Sequence, residues 1–115
     1  GAHSGAEGVR LAEGYLRDHS AEQVRGPDVA AAVGMSCSHL TVLFRQTTGT
    51  TIVEYLTRLR MARARELLAL STLTVKEVAA AVGYEDPFYF SRRFHDLHGC
   101  SPSDFRTGQQ VVDVQ

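Results

Sequence analysis

A seven-residue phrase occurs twice in this chain, and nothing else in the sequence limits its fold so sharply. Residues 28–34 read DVAAAVG and residues 77–83 read EVAAAVG, an offset of 49. The correspondence then continues at an offset of 50, from Leu40 with Phe90, through Phe44 with Phe94 and Gly49 with Gly99, to Tyr55 with Phe105. One residue is therefore inserted in a loop of the second copy. A match carried this far with a single slip reads as a duplication. In a chain of 115 residues, it leaves space for one small domain built from two similar halves.

Each copy has the pattern of two helices joined by a sharp turn. Ala30 lies where a small side chain lets two helices approach, Gly34 turns the chain, and Leu40 packs the second helix onto the first; Ala79, Gly83 and Phe90 repeat the scheme. That is a helix-turn-helix arrangement, present in tandem. Thr51 with Glu54, Thr74 with Glu77, and Ser101 with Asp104 have capping-box spacing, and Pro102 sits where a first helical residue needs no amide hydrogen. Gly34, Gly49, Gly83 and Gly99 stand where helices should stop. No stretch of alternating polarity competes. The chain is thus predicted to be all-α, with helices over 8–19, 26–33, 37–47, 51–70, 75–82, 87–98 and 102–107. Residues 8–50 form a first helix-turn-helix unit, 51–70 a linker helix and 74–107 a second unit. Residues 1–7, with their GAHSG start, read as an expression scar and disordered lead-in, and 108–115 as a tail. A linker of about 20 residues spans roughly 30 Å, comparable with one turn of duplex DNA at about 34 Å.

Composition narrows the function by exclusion. Apolar residues at 43% and charged residues at 22% are ordinary globular usage. No apolar run approaches the ~18 residues of a membrane span, so a cytoplasmic protein without membrane contact is expected. Cys37 and Cys100 are too few and too isolated for a disulfide framework or a zinc site, and read as unpaired thiols. His39, His95 and His98 lack ligand spacing with acidic partners, and no nucleophile, base and orienting group converge. We therefore expect no metal, no cofactor and no catalysis. The net charge of −1 gives no whole-molecule attraction to nucleic acid. Locally the picture differs: residues 36–65 hold Arg45, Arg58, Arg60, Arg63 and Arg65 against Glu54 alone, a charge of +4. The four linker arginines are too many to pair with Glu54 and Glu66. If DNA is bound, a few such local arginines displace counterions, with about four to eight phosphates contacted in all.

The run GYEDPFYFSRRFHDLHGCSPSDFR at residues 83–106 resembles the C-terminal signature of the AraC/XylS transcription regulators, and SHLTVLFRQTTG and RMARARELL upstream fit it too. The resemblance covers residues 9–107. It implies two helix-turn-helix units joined by a long helix, binding an asymmetric site in double-stranded DNA through successive major grooves. It also implies RNA polymerase as a candidate partner. In full-length members a further domain commonly senses an effector or dimerises, so a monomeric DNA-binding part of a larger, dimerising parent is one expectation and a stand-alone member the other.

Carried over by position, the first recognition helix presents Ser38, Thr41 and Val42 with His39 and Arg45 beside them, while Leu40, Leu43 and Phe44 face inward. The second presents Pro87, Phe88, Ser91 and Arg92, with Tyr89, Phe90 and Phe94 mostly structural. Arg92 is expected to reach a guanine or a phosphate. Arg93 reads as an ion-pair former or phosphate neighbour, Arg45 as a phosphate contact or a solvated charge, and Phe88 as a thymine-methyl contact or a packed ring. Arg60 is expected to be structural. Two departures stand out: Val42 replaces a long polar reader, and Arg25 replaces the hydroxyl residue that would cap the second helix. The alternative to DNA binding is a helical protein-interaction module that keeps the scaffold without the contacts.

Overall fold

The computed structural model describes residues 5–114, with side chains through residue 109. Seven α-helices follow one another: α1 Gly5–Asp18, α2 Gly26–Val33, α3 Cys37–Thr48, α4 Ile52–Leu70, α5 Val75–Ala81, α6 Pro87–His98 and α7 Pro102–Val114. Among the described residues there is no strand. Two helices are longer than the sequence predicts. α1 begins at Gly5, inside the segment expected to be disordered; Glu7 lies in its first turn, where a carboxylate is favoured by the helix dipole. α7 runs through Gly108, because a glycine without a need for positive φ lowers helix propensity without ending the helix. Of the expected scar, residues 1–4 lie outside the described residues.

The chain divides into two compact units between Leu59 and Arg60, within α4. The first unit's core is Val9, Ala12 and Leu16 of α1, Val29, Ala30 and Val33 of α2, and Leu40 and Phe44 of α3. The second contains Met61, Ala64 and Leu68 of α4, Val78, Ala79 and Val82 around α5, and Phe90 and Phe94 of α6, with Tyr84 added. Every buried apolar residue of the first core thus has a buried counterpart in the second. The offset is 49 for the α2 and α5 residues and 50 for those of α3 and α6. It is 52 for Val9 with Met61, Ala12 with Ala64 and Leu16 with Leu68. The repeat therefore reaches back through a third helix, which side-chain substitutions and a shorter connection conceal in the sequence.

Local chemistry repeats as well. Met35 N–H donates to Ala30 O at 3.0 Å and Gly34 N–H to Ala31 O at 3.3 Å; Tyr84 to Ala79 at 2.9 Å and Gly83 to Ala80 at 3.2 Å copy the pair. This double bond closes a helix end only if the chain turns left-handed, and Gly34 and Gly83 have φ of 71° and 107°. Edge-to-face ring pairs hold the next helix: Phe44 with Tyr55 at 5.5 Å, and Phe94 with Phe105 at 5.6 Å. Of the three expected capping boxes, Thr74 with Glu77 forms both halves, at 3.1 and 2.9 Å. Thr51 and Ser101 accept from the amides of Glu54 and Asp104 at 3.1 and 3.0 Å. The Glu77 carboxyl is held below its ordinary pKa by the Thr74 amide first and the Thr74 hydroxyl second.

Candidate nucleic-acid interface

The second helix of each unit is capped before it is presented. Ser36 Oγ accepts from His39 N–H at 3.2 Å and sets the start of α3. In α6 the inserted loop residue brings Asp86 to the same role, its Oδ1 accepting from Phe88 N–H at 2.9 Å, with Pro87 as the first helical residue. Neither cap was legible in the sequence as a cap, because no acidic or amide side chain follows at the capping-box distance. Both fix helix phase, and phase decides which side chains face water.

In α3, Leu40 and Phe44 are buried and Leu43 packs against the core, while Ser38, His39, Thr41, Val42 and Arg45 are all exposed. Val42 is 54% exposed. The Thr41 hydroxyl donates to Cys37 O at 2.8 Å, which turns its methyl group outward as the part free for contact. In α6, Phe88 and Arg92 are exposed, whereas Pro87, Ser91 and Arg93 are half-buried. Through the offset of 50, the stripe Ser38, Thr41, Val42 and Arg45 corresponds to Phe88, Ser91, Arg92 and His95. Arg93 corresponds to Leu43, on the side that turns toward the core, and Pro87 to Cys37 at the helix start. The structure thus brings most of the expected residues onto two matching stripes, sets Pro87 and Arg93 at their edges, and adds exposed His95, which the sequence reading passed over. Tyr89, expected to be mostly structural, is 46% exposed, with its ring tilted against Tyr84 at 6.0 Å. Phe88, at 78% exposure, is not packed.

The basic stripe of α4 is less available than its charge count suggests. Arg63 pairs with Glu66 at 3.0 Å. Arg60 lies over the Tyr84 ring at 5.2 Å, the structural role expected of it. Arg65 Nη1 meets His98 Nε2 at 2.7 Å, and His98 Nδ1 lies 3.0 Å from Phe94 O. With Nδ1 donating to that carbonyl, Nε2 is the acceptor for Arg65, so the arrangement belongs to the neutral imidazole. Arg106 bonds Leu68 O at 3.0 Å and Ser71 O at 3.4 Å, closing the end of α4. Arg45, Arg58 and Arg92, by contrast, make no side-chain hydrogen bond or ion pair among the described residues.

No set of three metal-ligating side chains is gathered among the described residues, and no single helix there is long and apolar enough to cross a membrane.

Two capped, outward-facing second helices on duplicated three-helix units define a tandem helix-turn-helix protein. The Helix-turn-helix domain family matches residues 29–108. The arabinose operon regulatory protein of Escherichia coli is 38% identical over 109 residues, covering 92% of this chain and 37% of that protein. The chain belongs to the AraC/XylS family. It spans little more than a third of the length of that relative and of the transcriptional activator RhaS of Shigella boydii, which is 36% identical over 104 residues. Among solved structures, the C-terminal domain of AraT, a response regulator from Geobacillus stearothermophilus, superposes with a TM-score of 0.85 at 32% identity, covering 88% of this chain and 84% of that one. The DNA-binding domain of AdpA, a global transcriptional factor solved in complex with a target DNA, gives 0.87 at 27% identity, with 93% and 96% covered.

Proposed function

We propose that this chain binds double-stranded DNA sequence-specifically, as the DNA-binding part of a bacterial AraC-type transcription regulator. α3 and α6 are its recognition helices, in successive major grooves. The observation that carries this reading is the pair of matching exposed stripes, one on each capped second helix, with Arg45 on the first and Arg92 on the second free of protein partners. The likeness to the DNA-bound AdpA domain and to operon regulators supports it.

Roles follow from reach. Arg92 is long enough for a bidentate pair with guanine, and Phe88, Thr41 and Val42 offer apolar contact to thymine methyls. Ser38 and Ser91 supply short hydrogen bonds, and His39 and His95 flank the bases. Arg45 and Arg58 answer phosphates, with Arg93 and Pro87 at the edge of the second contact. RNA polymerase is the further protein partner this reading implies. The isolated chain is monomeric in this account, dimerisation belongs to a further domain of the parent, and the site of action is the bacterial cytoplasm.

Salt dependence tests the reading cheaply. Local partners occupy Arg60, Arg63 and Arg65, so we expect about three to five displaced counterions, at the low end of what charge alone suggests. Affinity for duplex DNA should then fall by roughly 40- to 500-fold between 50 and 200 mM salt. An affinity that stays flat across that range contradicts phosphate contact and favours a protein-interaction module.

A further inference from the structure

One difference between the two units lies beside an apolar cleft. In the first unit a space of about 190 Å³ opens between the start of α2, the outer face of α3 and the start of α4. Val24, Ile52, Val53 and Leu56 form apolar walls, Thr41 closes one side, and Arg25 and Gly26 stand at its edge. In the second unit, Thr74 and Val75 occupy the positions of Arg25 and Gly26 through the offset of 49. Val75 packs against that unit's core, and Thr74 completes a two-way cap.

The first unit gives up both features. A guanidinium has donors only and cannot accept from a helix amide. One half of the cap therefore survives, Asp28 Oδ2 accepting from Arg25 N–H at 3.3 Å. Gly26 supplies no side chain where its counterpart is Val75, and a methyl group added there would meet Cys37 Sγ at 3.3 Å. A departure from the local capping rule at the edge of an apolar cleft, leaving there a guanidinium without a hydrogen bond or ion pair among the described residues, is a candidate functional position.

We propose that this cavity binds a small carboxylate with a compact, ring-sized or branched apolar body, the body against Val24, Ile52, Val53 and Leu56 and the carboxylate paired with Arg25. Size and charge both select that class. The cleft is open to solvent on one side, and its volume of about 190 Å³ has room for a benzene-sized body. A planar guanidinium meets a carboxylate through two parallel hydrogen bonds. Val53 is 73% exposed in the free protein, so a guest covers apolar surface that nothing else covers. The site shares Thr41 with the proposed reading face of α3.

Cyclohexanecarboxylate is a suitable probe, titrated into the 115-residue chain in the absence of DNA and followed by backbone amide shifts. We expect saturable shifts confined to residues 24–26, 41 and 51–56. Cyclohexylmethanol, the uncharged analogue, should bind at least tenfold more weakly. Arg25→Thr restores the second unit's cap and so keeps the fold; it should weaken the carboxylate at least tenfold and leave the alcohol unchanged. The proposal is overturned by an absence of saturable shifts at millimolar probe, by shifts elsewhere, by equal affinity for the alcohol, or by carboxylate binding that ignores Arg25→Thr. Because no DNA is present, none of these outcomes bears on the DNA-binding reading.

Discussion

In the proposed interface, most of the discrimination is assigned to a single arginine. The first stripe holds Ser38, Thr41 and Val42, whose short side chains reach few base edges, whereas the second holds Arg92 with no protein partner. Arg92→Ala should therefore relax base preference at one or two positions, a loss of about 1–3 kcal/mol of discrimination. Arg45→Ala should weaken all duplexes about equally. Binding selections on the two variants check this, and unchanged preferences in Arg92→Ala would remove it from its role. The turn glycines give a second prediction at this scale. Gly34, at φ 71°, lies near the left-handed helical region, and an added methyl group there meets nothing within 4 Å. Gly83, at φ 107°, lies outside that region and is buried. Gly34→Ala should cost about 1 kcal/mol and Gly83→Ala clearly more. Equal midpoints in urea titration would contradict the account. The glycines could be read from the sequence because only the left-handed turn explains a glycine at both helix ends. The partners of Arg63 and Arg65 were not equally legible: Glu66 is near in sequence, but His98 reaches Arg65 only through the fold.

Helix boundaries show where sequence reading works and where packing takes over. α2 through α6 begin and end within a residue of expectation, because caps, prolines and glycines are chemical punctuation. α1 and α7 extend further, since Gly5 and Gly108 resemble stops but take no left-handed turn. The caps of α3 and α6 went unread: Ser36 lacks the acidic partner three residues on, and Asp86 reaches the amide only two residues away. The complete cap of α5 makes a prediction for that element. Thr74→Ala should destabilise the protein by about 1 kcal/mol. Glu77 adds a pH dependence whose sign follows from its lowered pKa. Its contribution is fully present above the unfolded value and is lost as pH falls through the lower folded one. Glu77→Gln should therefore narrow the stability difference between neutral and acidic pH, as measured by urea titration. A difference as large as that of the unaltered protein would contradict the cap.

At the scale of the whole molecule, duplication organises everything described. The sequence shows it over α2–α3 and α5–α6, where alanines and glycines tolerate little change. The structure extends it to α1 and the second half of α4, where Ala12 and Leu16 recur as Ala64 and Leu68 and Val9 answers Met61. Two equivalent units, each presenting one exposed stripe, imply two reading heads, and the central claim is that both read DNA. Selection of bound duplexes from a random library measures this directly. The account predicts enriched sequences with two short motifs, their centres about one helical turn or ~10 base pairs apart, the motif read by α6 being the sharper. Recovered sequences indistinguishable from the starting library, or a single motif with no second one at that spacing, would contradict it.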